Sequence, residues 1–292
     1  MEVYSMDKAT VGVIGGSGLY KMDSLEDVEE IRVPTPFGDP SDSYFIGSLG
    51  GARVAFLARH GRGHRLMPSE LNYRANIYGF KQLGVSRIIS ASAVGSLKED
   101  IPPLNIVLPD QFVDRTTQRK STFFGEGIVA HVSMAEPICP QMQQLAHRCS
   151  SGLDRRVVLG GTYLNMEGPH FSTRAESDLY RSWGLDVIGM TNSTEARLAR
   201  EAEICYVTVA MVTDYDCWRV EEEPVSVETL IGFLNQNADF ARNLITRMVP
   251  ELPDRRSCGC GQALQNAIFT SPHGVSPAVR ERLAPIIGNY LS

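Results

Sequence analysis

Apolar positions along the chain fall into two alternating patterns. Short, mainly apolar runs at Val11–Ile14, Arg53–Ala58, Arg87–Ala91, Asn105–Leu108, Val157–Leu164, Asp186–Met190 and Ile204–Thr213 predict buried strands. Between them, Ser69–Leu83, Thr173–Trp183 and Thr194–Glu203 carry apolar residues at helical spacing. Asn192 stands three residues before Glu195, a capping-box-like start for the last of these. Ser226 has the look of an N-cap for a long helix reaching about Met248. Strands alternating with helices predict an α/β domain of three layers. The periodicity breaks over Pro253–Gly274, which reads as a linker. A C-terminal helix over Ala278–Leu291 follows, started by Ser276-Pro277 and interrupted at Pro285. The expected organisation is a domain over 1–250, with 251–292 a linker and helix belonging to the same domain.

Composition changes this picture little. Of the 292 residues, 43% are hydrophobic and 21% charged, which suits a sizeable packed core. A formal net charge of −6 argues against nucleic acid or an anionic membrane as a general partner. No apolar run approaches the roughly 18 residues that a spanning helix needs. The first residues are polar and offer no apolar core for a signal peptide, so the expected location is the cytoplasm. The six cysteines are expected as free thiols, and Cys258-Gly-Cys260 is the exception. A zinc site built on it would want a second pair, and no other pair has suitable spacing. A redox or structural disulfide at Cys258 and Cys260 is the alternative, and no metal is expected.

Candidate chemistry gathers where the strands end. Gly15-Gly16-Ser17-Gly18 follows the first strand and offers backbone N–H groups and a hydroxyl to an anion. It is not a dinucleotide fingerprint, since Lys21 stands where the third glycine would fall. Ala58-Arg59-His60-Gly61 ends another strand and supplies a fork of donors suited to phosphate, although an isolated Arg-His pair also suits a solvated loop. Ser90–Ser96 is a run of small residues that lets backbone approach a ligand, or simply turns the chain. Met166–Phe171 and Gly189–Asn192 follow two more strands. Thr213-Asp214-Tyr215-Asp216-Cys217-Trp218 puts two carboxylates just past a long strand. Burial and mutual repulsion push such carboxylates upward in pKa, which makes one a candidate proton donor. A metal site or a solvated acidic turn are the other readings.

Taken together, these motifs resemble the methylthioadenosine phosphorylase branch of the purine nucleoside phosphorylase family. The resemblance runs from about Val11 to Leu244. Its most specific pieces are Thr35–Gly38, Leu57–Gly61, Asn72–Asn76, Asp110–Thr117, Met134–Pro137 and Thr213–Trp218. It implies a three-layer α/β phosphorylase fold, a mixed sheet with a distorted barrel flanked by helices. It also implies a homotrimer or a dimer of trimers. The substrates implied are a small-molecule nucleoside and inorganic phosphate as co-substrate, with no cofactor. By resemblance, Ser17, Arg59, His60, Ser92, Ala93 and Thr191 hold phosphate. Phe171 stacks on the purine, Met190 lies under the ribose, and Asp214 and Asp216 face the base. His131 approaches the 5' end of the nucleoside across a subunit boundary. Ser172 and Val227 tune substrate choice.

The chain departs from the family at several of these places. Ser17 stands where Thr is common, His170 where Arg is common, and Val94 where some members carry Cys. Asn192-Ser-Thr-Glu195 replaces a familiar Val-Pro-Glu. None removes a group the chemistry requires. A carboxylate pair, rather than asparagine, suits a 6-aminopurine: protonated it donates to N7, ionised it accepts from the amino group. The expected reaction is phosphorolysis of S-methyl-5'-thioadenosine, with adenosine as a second substrate. The rivals are a phosphorylase for inosine, guanosine or methylthioinosine, and a non-catalytic nucleoside-binding protein.

Overall fold

Three parallel strands form the centre of the molecule. β1 (Val11–Gly15) is buried throughout and lies between β4 (Ala52–Ala58) and β5 (Arg87–Ser96). The coordinates are a computed structural model that describes residues 9–16, 19, 24–219 and 227–291, with only the backbone of 227–231. β11 (Cys205–Asp214) runs parallel to β5 along nearly its whole length. β2 (Glu26–Ile31) and β3 (Tyr44–Leu49) extend the sheet antiparallel beyond β4.

Beyond the centre, the sheet divides around β5. One arm runs through β10 (Val187–Gly189), which is antiparallel to the end of β5, then β9 (Thr162–Asn165) and β7 (Gln111–Asp114). The other runs from β11 through β6 (Ile106–Leu108) to β8 (Val157–Leu159). The arms face one another across a small core of Val94, Val107, Tyr163, Val187, Ala210 and Val212. Phe112 of β7 and Val158 of β8 both pack on this core. The result is a mixed sheet curled toward a barrel and flanked by helices.

Several expected elements have different bounds. The expected strand over 157–164 is two strands, because Gly160 and Gly161 turn the chain at φ +88 and +116. β5 continues past Ala91 to Ser96, because β11 gives it a partner through Gly95. β2 was not predicted, since Glu-Asp-Val-Glu-Glu-Ile is an exposed edge with no apolar pattern. Helix α2 (Pro140–Cys149) was missed too, its buried side being only Met142, Gln143, Leu145 and Ala146.

The other helices start where local chemistry satisfies their first N–H groups. α1 (Tyr73–Gln82) starts at Asn72, whose side chain accepts from the Ala75 amide. α3 (Arg174–Ser182) has a complete capping box between Thr173 and Glu176. α4 (Asn192–Glu201) has no capping bond from its N-cap Thr191; instead the Ser193 amide donates to Asn165 Oδ1 at 3.1 Å. α5 covers Val227–Met248, and Ser226 lies outside the described residues. α6 (Pro277–Ile287) passes through Pro285 without interruption. The carbonyl that loses a partner there belongs to Glu281, which is exposed to solvent. Cys260, Leu264, Val279, Leu283 and Ile287 are buried in the same core as Val13 and Ile89, so the 253–274 segment and α6 are packed onto the sheet. No described helix is long and apolar enough to cross a membrane.

Candidate active site

One edge of β5 has a gap. β11 takes the whole of the other edge, while β1 pairs with Arg87–Ser90 and β10 with Gly95–Ser96. Among the described residues, 91–94 therefore have no strand partner on the β1 side. The Ala91 carbonyl accepts from Arg59 Nη1 at 2.8 Å on this open edge, and the Val94 carbonyl faces Thr213 Oγ1, 3.3 Å away, on the β11 side. Backbone groups alternate along a strand. The amide of exposed Ala93 is thereby turned into the gap.

Arg59 follows β4 directly and is 3% exposed. Its Nε donates to Glu195 Oε1 at 2.5 Å, and its Nη2 donates to Ser90 Oγ at 2.6 Å and to Glu195 Oε2 at 3.2 Å. With the bond to Ala91, four of its five N–H donors are used, and one on Nη1 is left by the described residues. Glu195 also accepts from Ser90 Oγ at 2.8 Å and the Tyr206 hydroxyl at 2.7 Å. Glu195 thus serves Arg59 and does not cap α4. The sequence shows no link between these residues, which lie 136 apart.

The network continues through Asn192, whose Nδ2 donates to Ser90 Oγ at 3.2 Å and Thr208 Oγ1 at 3.1 Å. Its Oδ1 accepts from Thr191 Oγ1 at 3.0 Å and the Tyr163 hydroxyl at 3.3 Å. That hydroxyl lies 3.4 Å from Ser92 Oγ. One continuous set of hydrogen bonds thus joins Arg59, Thr191 and Ser92. Of the linking residues, Ser90 and Asn192 stood in the sequence motifs without an assigned role, and Glu195 and Tyr163 stood outside them.

His60 is held differently. Its Nδ1 donates to the Leu66 carbonyl at 2.8 Å, and its ring stacks on His64 at 4.3 Å. Burial lowers its pKa to about 4, so the ring is neutral at physiological pH. With Nδ1 donating, Nε2 can only accept. Anything it holds must bring its own proton.

Asp214 ends β11 and meets the far end of the gap. The Thr213 hydroxyl donates to its Oδ2 at 2.7 Å and the Asp216 amide to its Oδ1 at 2.8 Å. Burial raises the pKa of Asp214 despite these two donors, and the Asp216 carboxylate pushes the same way. Burial also raises Asp216. A Cβ on Gly95 would come within 3.0 Å of Asp214 Oδ1 and 3.3 Å of the Asp216 Cβ. Glycine there is what lets the carboxylates close on β5.

The remaining expected residues are spread more widely. Met190 follows β10, and its carbonyl accepts from Arg119 at 3.0 Å and from Asn165 at 3.3 Å. Arg119 is itself held by Glu167 at 2.9 Å. Burial would raise Glu167, but donors from Ser69, Thr117, Arg119 and Gln118 bring it to about 2. Ser172 is buried, and its carbonyl accepts from the Cys217 thiol at 3.2 Å. Phe171 is 76% exposed and free to cover a ligand. His131 is exposed; it sits on a bridge between Ala130 and Ile268 and packs edge-on against Phe269 at 5.0 Å, away from the gap's hydrogen-bond network. Ser17 and the Val227 side chain lie outside the described residues.

A family model described as the phosphorylase superfamily matches residues 10–250. The chain belongs to the phosphorylase superfamily. Among superfamily members, an S-methyl-5'-thioadenosine phosphorylase of Koribacter versatilis is 59% identical over 97% of this chain and 97% of its own. A solved methylthioadenosine phosphorylase from an Antarctic soil metagenomic library superimposes with a TM-score of 0.93 at 48% identity, covering 96% of this chain and 99% of that one. A mutant of the Schistosoma mansoni adenosine/methylthioadenosine phosphorylase, solved with methylthioadenosine, is 34% identical with a TM-score of 0.81, over 88% of this chain and 96% of that one. The three-layer phosphorylase fold expected from the sequence is thus the fold of this superfamily chain.

Away from the gap, the superfamily chain gathers four cysteines. Cys139 and Cys205 join Cys258 and Cys260, with all four Sγ atoms within 4.8 Å of one another. The second pair that sequence spacing did not offer comes from two single cysteines, far apart in the chain. None of the four is in a disulfide, Cys258 and Cys260 included.

Proposed function

We propose that this protein splits S-methyl-5'-thioadenosine with inorganic phosphate, giving adenine and 5-methylthioribose 1-phosphate. It is a pentosyltransferase of the phosphorylase superfamily. The observation that carries the reading is the gap at residues 91–94 of β5, with Arg59 at one end and the raised carboxylates Asp214 and Asp216 at the other.

Phosphate sits at the Arg59 end, held by the remaining Arg59 N–H, the Ala93 amide and the hydroxyls of Ser17, Ser92 and Thr191. His60 Nε2 accepts from the P–OH of hydrogen phosphate, so the neutral imidazole selects the protonated anion. Met190 lies under the ribose, and Phe171 stacks on the purine. As the C1'–N9 bond breaks, the sugar gains oxocarbenium character, which the anion beneath it stabilises before a phosphate oxygen bonds to C1'. Asp214, whose pKa burial raises, gives a proton to N7, so adenine leaves neutral. Asp216 positions the base. The proton count closes: adenine gains one, and hydrogen phosphate loses one on becoming the ester dianion.

Ser172 and Val227 set the choice at the 5' group. His131 completes that pocket in a neighbouring subunit of a homotrimer or a dimer of trimers. Exposed Val129 and Phe269 beside His131 support an interface on that face. The proposed setting is cytoplasmic salvage of purine and methionine, with no cofactor. Base release from S-methyl-5'-thioadenosine, adenosine and inosine, with and without phosphate, tests the reading. Phosphate-dependent adenine release, fastest from S-methyl-5'-thioadenosine, is expected. Turnover fastest on inosine, or independent of phosphate, would overturn it.

A further inference from the structure

We infer that Cys139, Cys205, Cys258 and Cys260 form a tetrathiolate site for a structural zinc ion. The four Sγ atoms lie mutually within 4.8 Å. A tetrahedral zinc with Zn–S bonds of about 2.3 Å sets its sulfurs roughly 3.8 Å apart. Two disulfides would need only two short distances, with no reason for all four sulfurs to converge. Cys205 and Cys258, 3.3 Å apart, are non-bonded thiols.

The ligands come from three separate places, each well fixed. Cys139 is the N-cap of α2, where the helix dipole favours a thiolate. Cys205 is the first residue of β11. Cys258 and Cys260 flank a glycine at the start of a single 3-10 turn. Among the described residues no His, Asp or Glu joins the cluster, so the donor set is all sulfur, which selects zinc over magnesium or calcium. Four protein ligands leave no position for water or substrate, the mark of a structural site. An ion bound by four thiolates carries a net charge of −2. Arg256 answers it, with Nη1 4.0 Å from Cys205 Sγ, and Arg87 lines the same cavity. That cavity, about 410 Å³ in volume, is bordered by Cys139, Cys205 and Cys258 and gives the ion a route in.

Binding is an exchange of protons for metal. Each thiol releases its proton to solvent, four Zn–S bonds form, and no electron is transferred. The ion fastens the 253–274 segment, which has no periodic pattern of its own, to α2 and to the start of β11.

The test uses the full chain, purified with reductant, loaded with Zn2+ and desalted. About one zinc per chain is expected by elemental analysis. Co2+ in its place is expected to show thiolate-to-cobalt charge transfer and tetrahedral ligand-field bands. Cys260→Ser is expected to abolish those bands and to weaken zinc binding by more than the ~10–100-fold that changes outside the ligand sphere cost. The wild-type cobalt spectrum decides the matter even if that variant fails to fold. A wild-type chain that binds neither ion overturns the proposal. So does protein isolated without reductant whose mass is lower by four hydrogens through two disulfides among these cysteines.

Discussion

The two ends of β11 hold different chemistry for different reasons. Asp214 closes its C-terminal end beside an unpaired stretch of β5, while Cys205 opens its N-terminal end inside a ring of thiols. Parallel strands turn their C-terminal ends toward the crevice where ligands gather. There the fold leaves groups unfinished: an open backbone edge, one remaining Arg59 N–H, an accepting His60 nitrogen and carboxylates whose pKa burial raises. At the N-terminal end, the sulfurs answer one another and their neighbours are Arg256 and the tail. Groups left unfinished can take up substrate, and groups that complete one another hold the chain together. Changes at the first end should alter rate more than stability, and changes at the second should do the reverse.

The largest expected effect is at Asp214. Asp214→Asn removes the proton donor and should lower kcat on adenine nucleosides by about 10²–10⁴-fold, with the midpoint of urea unfolding little changed. Near-full turnover would remove Asp214 from the acid role, and an equal loss of stability would break the contrast between the ends. Glu195 holds Arg59 but is buried and also accepts from Tyr206 near the start of β11, so it should blur the contrast. Glu195→Ala leaves the Arg59 guanidinium buried without its partner and should cost about 3–5 kcal/mol in denaturant unfolding, together with phosphate affinity.

Glu201 sharpens the comparison from the other side. It closes α4, just before β11 begins, and accepts from the Phe123 amide and the Thr122 hydroxyl. Burial raises its pKa from 4.5 to about 7. A folded-state pKa above the unfolded value gives stability that is complete below about pH 4.5 and is lost as pH rises through about 7. The loss is on the order of 3 kcal/mol at ~1.4 kcal/mol per pH unit. Glu201→Gln should flatten that decline in unfolding measurements between these pH values, without altering kcat. Phe171 gives the smallest effect. Being exposed, Phe171→Ala should leave stability unchanged and raise KM by up to about tenfold, the worth of one aromatic stack.

The strands that carry the site were legible because buried parallel strands are continuous apolar runs, as in Val11–Ile14 and Ile204–Thr213. The residues at their ends were legible as motifs. Asp214, Arg59 and Ser92 were selected in this way, and the superfamily match agrees with the fold those motifs implied. β2 was not legible, because its ladder to β3 is made by backbone groups that leave no mark on side-chain pattern. Nor was the role of Glu195, whose spacing from Asn192 mimics a cap.

By itself, the sequence determined the alternating elements, the family and the residue types offered to phosphate and purine, all properties of local pattern. Tertiary structure alone decided which groups remain free. Arg59 keeps one donor because Glu195, Ser90 and Ala91 take the rest, and His60 becomes an acceptor because Leu66 takes its proton. Four cysteines from three distant segments converge for the same reason. Hydrogen-bond capacity, burial and pKa depend on what the fold brings within a few ångströms, and no local pattern encodes those distances.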